Sequence, residues 1–387
     1  MYSDKVLTGI KRAEYIYLNR SEEIFKIKQQ GKKVIAYFCC YPPLELLTSS
    51  GLVPVRILGD IKEPITEGGK HLPPIMCNYI RSCLDCKQKN NYDYSDGVIG
   101  CHSCDGIERT SHIWSNLAKP ESFSFFLDIP HTLNKNAVDF FVLQLKYMKN
   151  ALEQFTGTKI SSEKLLKEIE LHNKTRKLVR VLYDMRKLDP PKISGSDLLK
   201  VLVAVMTVPV EEGNALLIEV IKEVNNLNTA KIGKKPRLLI WGSIIDNFEM
   251  IQLIESSGAD VVIDDSAIGT RSYWHDVKLD DDPINAIADR YLVKVECPCS
   301  FKEAKKTFNA DNENRFGYIN ELIKDWKVDG AVLYIIRNCD PHGFEIPAIK
   351  SYFESRGIRT IILEHDYTNS SIPPLKTRMD AFIEMFE

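Results

Sequence analysis

Short apolar runs alternate with amphipathic stretches towards both ends of the chain, whereas its middle carries helical periodicity alone. Residues 33–38, 53–58, 98–100 and 123–128 read as buried strands, since each is a brief, near-continuous apolar run. Residues 237–242, 259–264, 330–336 and 358–364 repeat the pattern downstream. Helices are expected over 1–32, from Pro43 to near Gly51, and over 246–257, 319–326, 346–355 and 375–386. Strand, helix, strand at this spacing implies right-handed crossovers and parallel sheets. From 136 to 228 the apolar positions keep a helical face, broken at Asp189-Pro190-Pro191 and restarted at Ser194, a good N-cap. The expected fold is therefore α/β. It has two Rossmann-like parallel-sheet domains, 1–135 and 233–387, around a helical segment at 136–232, with the boundary at the basic linker 231–236.

At 387 residues two domains are the natural division, and 44% hydrophobic with 27% charged residues is ordinary for a soluble protein. A formal net charge of −2 gives no electrostatic case for nucleic acid or an anionic membrane. No apolar run approaches the roughly 18 residues needed to span a bilayer, and the N-terminus opens no signal peptide. A cytoplasmic location is expected. No GxGxxG follows a strand, which disfavours a dinucleotide, and no GxxxxGK[ST] is present, so ATP would be handled by a partner.

Ten cysteines are many for such a chain, and without a secretory signal they point to metal binding or catalysis, or to small buried apolar residues. The strand at 98–100 runs into Cys101, Cys104 and Asp105, and the strand at 330–336 runs into Cys339 and Asp340. Open α/β sheets place ligands at such strand ends. Cys83-x-x-Cys86 with Cys101-x-x-Cys104 approaches a zinc-ribbon spacing, and a zinc-stabilised α/β binding protein is one reading. The other takes single thiolates from several strand ends, which suits an iron–sulfur cluster. Its candidate ligands are Cys77, Cys104 and Cys339, and Cys39, Cys297 and Cys299 are able to reach the same cleft. Asp264, Asp265 and Arg271 are weak candidates for orienting a substrate, against the ordinary role of strand-end acids as helix caps. His102, between two cysteines, is a candidate proton donor. His131, His275, His342 and His365 are expected at the surface or in packing.

Matching stretches run through nearly the whole chain. They are 39–47 with 51–54, 77–83, 94–99 leading to Cys104-Asp105, 126–130, 264–271, 289–292 with Cys297-Pro298, 329–332 with Cys339-Asp340-Pro341, and 364–367 ahead of 378–385. In number and order they resemble the catalytic subunits of 2-hydroxyacyl-CoA dehydratases and ATP-dependent benzoyl-CoA reductases. The resemblance implies a [4Fe–4S] cluster in the interdomain cleft, held by Cys77, Cys104 and Cys339. It also implies a separate ATP-hydrolysing iron–sulfur activator that injects one low-potential electron, and radical dehydration or reduction of an acyl-CoA. One departure stands out. Cys297-Pro298-Cys299 supplies two thiols where many dehydratase subunits show one, and with Cys39 the candidates reach six. That resembles the homodimeric branch whose double-cubane cluster reduces small molecules, so a homodimer and a paralogous partner both remain open.

Overall fold

The computed structural model describes residues 7–227 and 233–386. Two helices open the chain, α1 (Gly9–Leu18) and α2 (Arg20–Gln29). The single helix expected there is interrupted at Asn19, whose side-chain amide donates to the Tyr15 carbonyl at 2.8 Å and competes with the helical ladder. There follow β1 (Lys33–Tyr37), α3 (Leu44–Ser49), β2 (Leu52–Arg56), α4 (Asn78–Gln88), β3 (Gly97–Cys101), α5 (Asp105–Leu117) and β4 (Phe123–Leu127). The four strands form one parallel sheet in the order β2-β1-β3-β4.

The middle of the chain is helical: α6 (Lys135–Thr156), α7 (Ser162–Asp184), α8 (Gly195–Val205) and α9 (Val210–Asn225). The side chains of Asn134, Ser161 and Ser194 accept from the backbone N–H three residues on, at 3.0–3.2 Å, and start α6, α7 and α8. Each such cap stabilises its helix by about 1 kcal/mol. The expected linker at 231–236 falls partly outside the described residues.

A second parallel sheet, ordered β6-β5-β7-β8, is built from β5 (Arg237–Gly242), β6 (Asp260–Asp265), β7 (Gly330–Ile336) and β8 (Arg359–His365). Around it lie α10 (Phe248–Ser256), α11 (Thr270–Tyr273), α12 (Pro283–Ala288), a π-helical turn at Asp289–Val293, α13 (Phe308–Phe316), α14 (Ile319–Asp325), α15 (Asp340–Glu354) and α16 (Ile372–Glu384). Every residue of β5 is buried, as expected for a strand covered on both faces. The α15 helix starts earlier than its apolar pattern suggests. Pro341 sits in its first turn, where a missing N–H costs nothing, and Asp340 adds negative charge at the positive end of the helix. Among the described residues, no helix is long and apolar enough to cross a membrane.

One buried polar cluster ties the three parts together. Glu45 of α3 and Arg176 of α7 pair at 2.5 Å, and Tyr291 of the π-helical turn donates to the other Glu45 oxygen at 2.7 Å. Glu45 and Arg176 are 0% and 3% exposed, so neither charge has water to fall back on. Burial pushes the Glu45 carboxyl up, but the Arg176 guanidinium overcomes that and holds it down at about 2. Since the folded value lies below the unfolded one, near 4.3, this contribution is complete above that pH and is lost as the pH falls towards 2. Replacing Arg176 with Met strands a buried carboxylate and should destabilise the fold by about 3–5 kcal/mol. Denaturant unfolding at neutral pH checks this. The same measurement on Glu45→Gln should show less loss of stability between pH 4.5 and the acid limit than the unsubstituted chain.

Candidate functional site

An order of 2-1-3-4 reverses direction between β1 and β3, so the helices that follow these strands leave to opposite faces and open a crevice at the strand ends. Cys39 and Cys104 follow β1 and β3. The second sheet repeats the arrangement at β5 and β7, which lead into Ser243 and Cys339. The two crevices meet in one cavity of about 600 Å³. Cys39, Cys77, Cys104, Cys297, Cys299 and Cys339 all line it. These six thiols are partly accessible, whereas Cys40, Cys83, Cys86 and Cys101 are buried. Among the described residues, no three or more His, Cys, Asp or Glu side chains are drawn together tightly enough to hold a single metal ion. The two CxxC pairs are therefore not assembled as a zinc knuckle: Cys83 and Cys86 lie along α4 and face the core.

Local geometry distinguishes three of the six. Cys77, Cys104 and Cys339 are the N-cap residues of α4, α5 and α15. Cys77 is thus not at a strand end at all, but on the long connection between β2 and β3. None of the three makes a side-chain capping hydrogen bond, but the backbone N–H groups three residues on, at Ile80, Ile107 and His342, favour the thiolate at each. The first turn of a helix offers unpaired N–H groups and positive potential, so three helix N-termini prepare the cavity for negative charge. Burial pushes the Cys104 thiol up to about 12. Cys77 and Cys339 share a hydrogen bond that leaves the thiolate on Cys339. Cys297 is brought down to about 6 by a hydrogen bond from Cys299, with the charge of Arg271 also favouring its thiolate.

Two buried cations line the same walls. Arg56, at the end of β2, donates to the Cys39 carbonyl; among the described residues its Nε has no partner and no carboxylate pairs with it. Arg271 donates to Asp265 Oδ1 at 2.9 Å and to His342 Nε2 at 2.9 Å, and His342 Nδ1 lies 3.6 Å from Cys339 Sγ. Of the residues singled out in the sequence, Arg271 lines the cavity. Asp265 stands behind it as its counter-charge, and Asp264 accepts from Tyr183 at 2.5 Å away from the lining. His102 lies outside the lining and pairs with Asp128 at 2.9 Å. His342, expected as a surface or packing residue, is only 5% exposed and touches both Cys339 and Arg271. Its spacing three residues after a helix-capping cysteine is the signal that could have found it.

The donor set fits an iron–sulfur cluster. Soft sulfur donors converge from distant segments, helix N-termini point at them, and Arg56 keeps an orphaned buried N–H beside them.

Two measurements test this geometry. Cys39 holds a left-handed φ of 60°, which costs a side-chain-bearing residue about 1–2 kcal/mol. Cys39→Gly should therefore unfold at higher denaturant than Cys39→Ala. Brief iodoacetamide treatment of metal-free protein, read by peptide mass spectrometry, should label the six lining thiols before Cys40, Cys83, Cys86 and Cys101; equal labelling contradicts the cavity.

A protein-family model described as 2-hydroxyglutaryl-CoA dehydratase, D-component, matches residues 39–386. One of the benzoyl-CoA reductase subunits of Thauera aromatica is 25% identical over 365 residues, covering 93% of this chain and 92% of that protein. The (R)-phenyllactyl-CoA dehydratase beta subunit of Clostridium sporogenes is 24% identical over 388 residues, 99% of each. The (R)-2-hydroxyglutaryl-CoA dehydratase beta subunit of Acidaminococcus fermentans is 24% identical over 367 residues, 93% of this chain and 94% of that protein.

Proposed function

The chain belongs to the 2-hydroxyglutaryl-CoA dehydratase D-component family, and from that premise we propose that it is an iron–sulfur catalytic subunit that dehydrates or reduces an acyl-CoA. The observation that carries this reading is the convergence of six partly accessible thiols from both sheets on one cavity. Cys77, Cys104 and Cys339 would hold a [4Fe–4S] cluster, leaving one iron position without a protein ligand. When bound, such a cluster supplies one-electron chemistry at low potential.

The chain's own residues do the rest. The helix N-termini behind the three cysteines, with Arg56 and Arg271, offset the negative charge of a thiolate-bound cluster. Met76, Ile80 and Ile244 give the cavity apolar walls that limit water around a reactive electron. The electron would come from a separate ATP-hydrolysing activator, since this sequence has no nucleotide-binding loop of the GxxxxGK[ST] kind. Relatives named as subunits support assembly with a paralogous chain or a second copy of this one.

One observation favours a second reading. Cys39, Cys297 and Cys299 line the same cavity as the first three, and six donors suit a double cubane in a homodimeric reductase of small molecules. Anaerobic purification followed by iron, sulfide and zinc determination separates these. About four irons per chain matches one [4Fe–4S] cluster and about eight matches two cubanes; zinc without iron overturns both. Cys339→Ala and Cys104→Ala should lose the bound iron while Cys83→Ala keeps it, and unchanged iron in Cys339→Ala refutes the ligand assignment.

A further inference from the structure

We propose that His342 is a positioning residue that presents a fixed N–H donor to the sulfur of Cys339, locked in that tautomer by Arg271 and Asp265. The inference rests on the reading of Cys339 as a cluster ligand, and it deepens that reading.

The chain of contacts begins at its buried end. Tyr318 donates to Asp265 Oδ2 at 2.6 Å, and Arg271 Nε donates to Oδ1 at 2.9 Å. Arg271 Nη2 also donates to the Asp265 carbonyl at 3.1 Å, so the guanidinium is held at two points on one residue. Its remaining arm, Nη1, lies 2.9 Å from His342 Nε2. A guanidinium donates at every nitrogen and accepts at none, so Nε2 must be the acceptor. The imidazole proton then sits on Nδ1, the nitrogen 3.6 Å from Cys339 Sγ. Trp241 lies against the ring with centroids 5.2 Å apart and fixes its plane. Asp265, Arg271 and His342 are all buried, and no water is needed to complete the chain.

The device is confined to one of the three helix-capping cysteines. The positions equivalent to His342 after Cys77 and Cys104 hold Ile80 and Ile107, which have no side-chain donor. Hydrogen bonds to ligand sulfurs draw off electron density and favour the reduced state of a cluster, raising its potential. Of the three, Cys339 is therefore the sulfur that has a side-chain N–H beside it in addition to the backbone of its helix N-terminus.

The test is the midpoint potential of anaerobically loaded protein, followed by electron paramagnetic resonance during a redox titration, with iron and sulfide measured on the same samples. His342→Phe removes the donor and should shift the midpoint to more negative potential. His342→Asn places an amide N–H near Nδ1 and should recover most of the shift. Equal midpoints in all three loaded proteins overturn the inference. If unsubstituted protein holds no iron, the iron–sulfur reading itself fails, and with it this inference. Should His342→Phe not load, the tautomer decides. Long-range proton–nitrogen spectra of histidine-labelled metal-free protein, with the His342 signal identified by its loss in His342→Asn, must show the proton on Nδ1. A proton on Nε2 overturns the proposal.

Discussion

The buried pair of Glu45 and Arg176, with Tyr291 on its second oxygen, is the constraint from which the site follows. Each member comes from a different part of the chain, and none has access to solvent that would soften its loss. Two desolvated charges at 2.5 Å tolerate little sliding, since separating them exposes both to a low-dielectric interior. The cavity needs that rigidity, because its sulfurs belong to segments as distant as Cys39 and Cys339. Smaller contacts reinforce the same juncture: Tyr41 with Ser300 at 2.9 Å, and the Asn338 amide on the Pro74 carbonyl at 3.0 Å.

All eight strands were legible because each is a short, largely apolar run; six are mostly buried, and the edge strands β4 and β8 keep the run although they are only partly covered. Helix starts were less so. The α15 helix begins at Asp340, where polar and cyclic residues hide an amphipathic pattern that becomes clear only further along. The strand-end grammar located Cys104 and Cys339 correctly in the topology, but it had no means of placing Cys77, which reaches the cavity from a connection. Its position at a helix start is a local property, and the following Asn78-Tyr79-Ile80 carries no strong cue for it.

Charge partners were the least legible part. Asp264 and Asp265 are neighbours in sequence, yet β alternation sends them to opposite surroundings, one to Tyr183 and the other to Arg271. Nothing in a single sequence tells which of two adjacent acids meets a cation contributed by a later helix. The partners of His342 come from β5, α11 and the start of its own helix, and only the last is close in sequence. The family resemblance names ligands but not the residues that orient them. Those residues emerge only when burial leaves an arginine and a histidine with one consistent way to share their protons.

The strand order β2-β1-β3-β4 occurs twice, and the repetition means that the cavity lies between two halves built on one plan. Under that internal symmetry β3 corresponds to β7, so Cys104 and Cys339 are counterparts: each ends the loop after its strand and caps the next helix. The remaining counterparts do not match. After β1 stands Cys39, whereas after β5 stand Ser243 and Ile244, and among the described residues the Ser243 hydroxyl has no partner. A symmetric scaffold thus encloses a site with sulfur at three of its four strand exits and oxygen at the fourth. An occupant of this cavity meets three thiols from each half, yet at one strand exit it finds a hydroxyl where the other three present sulfur.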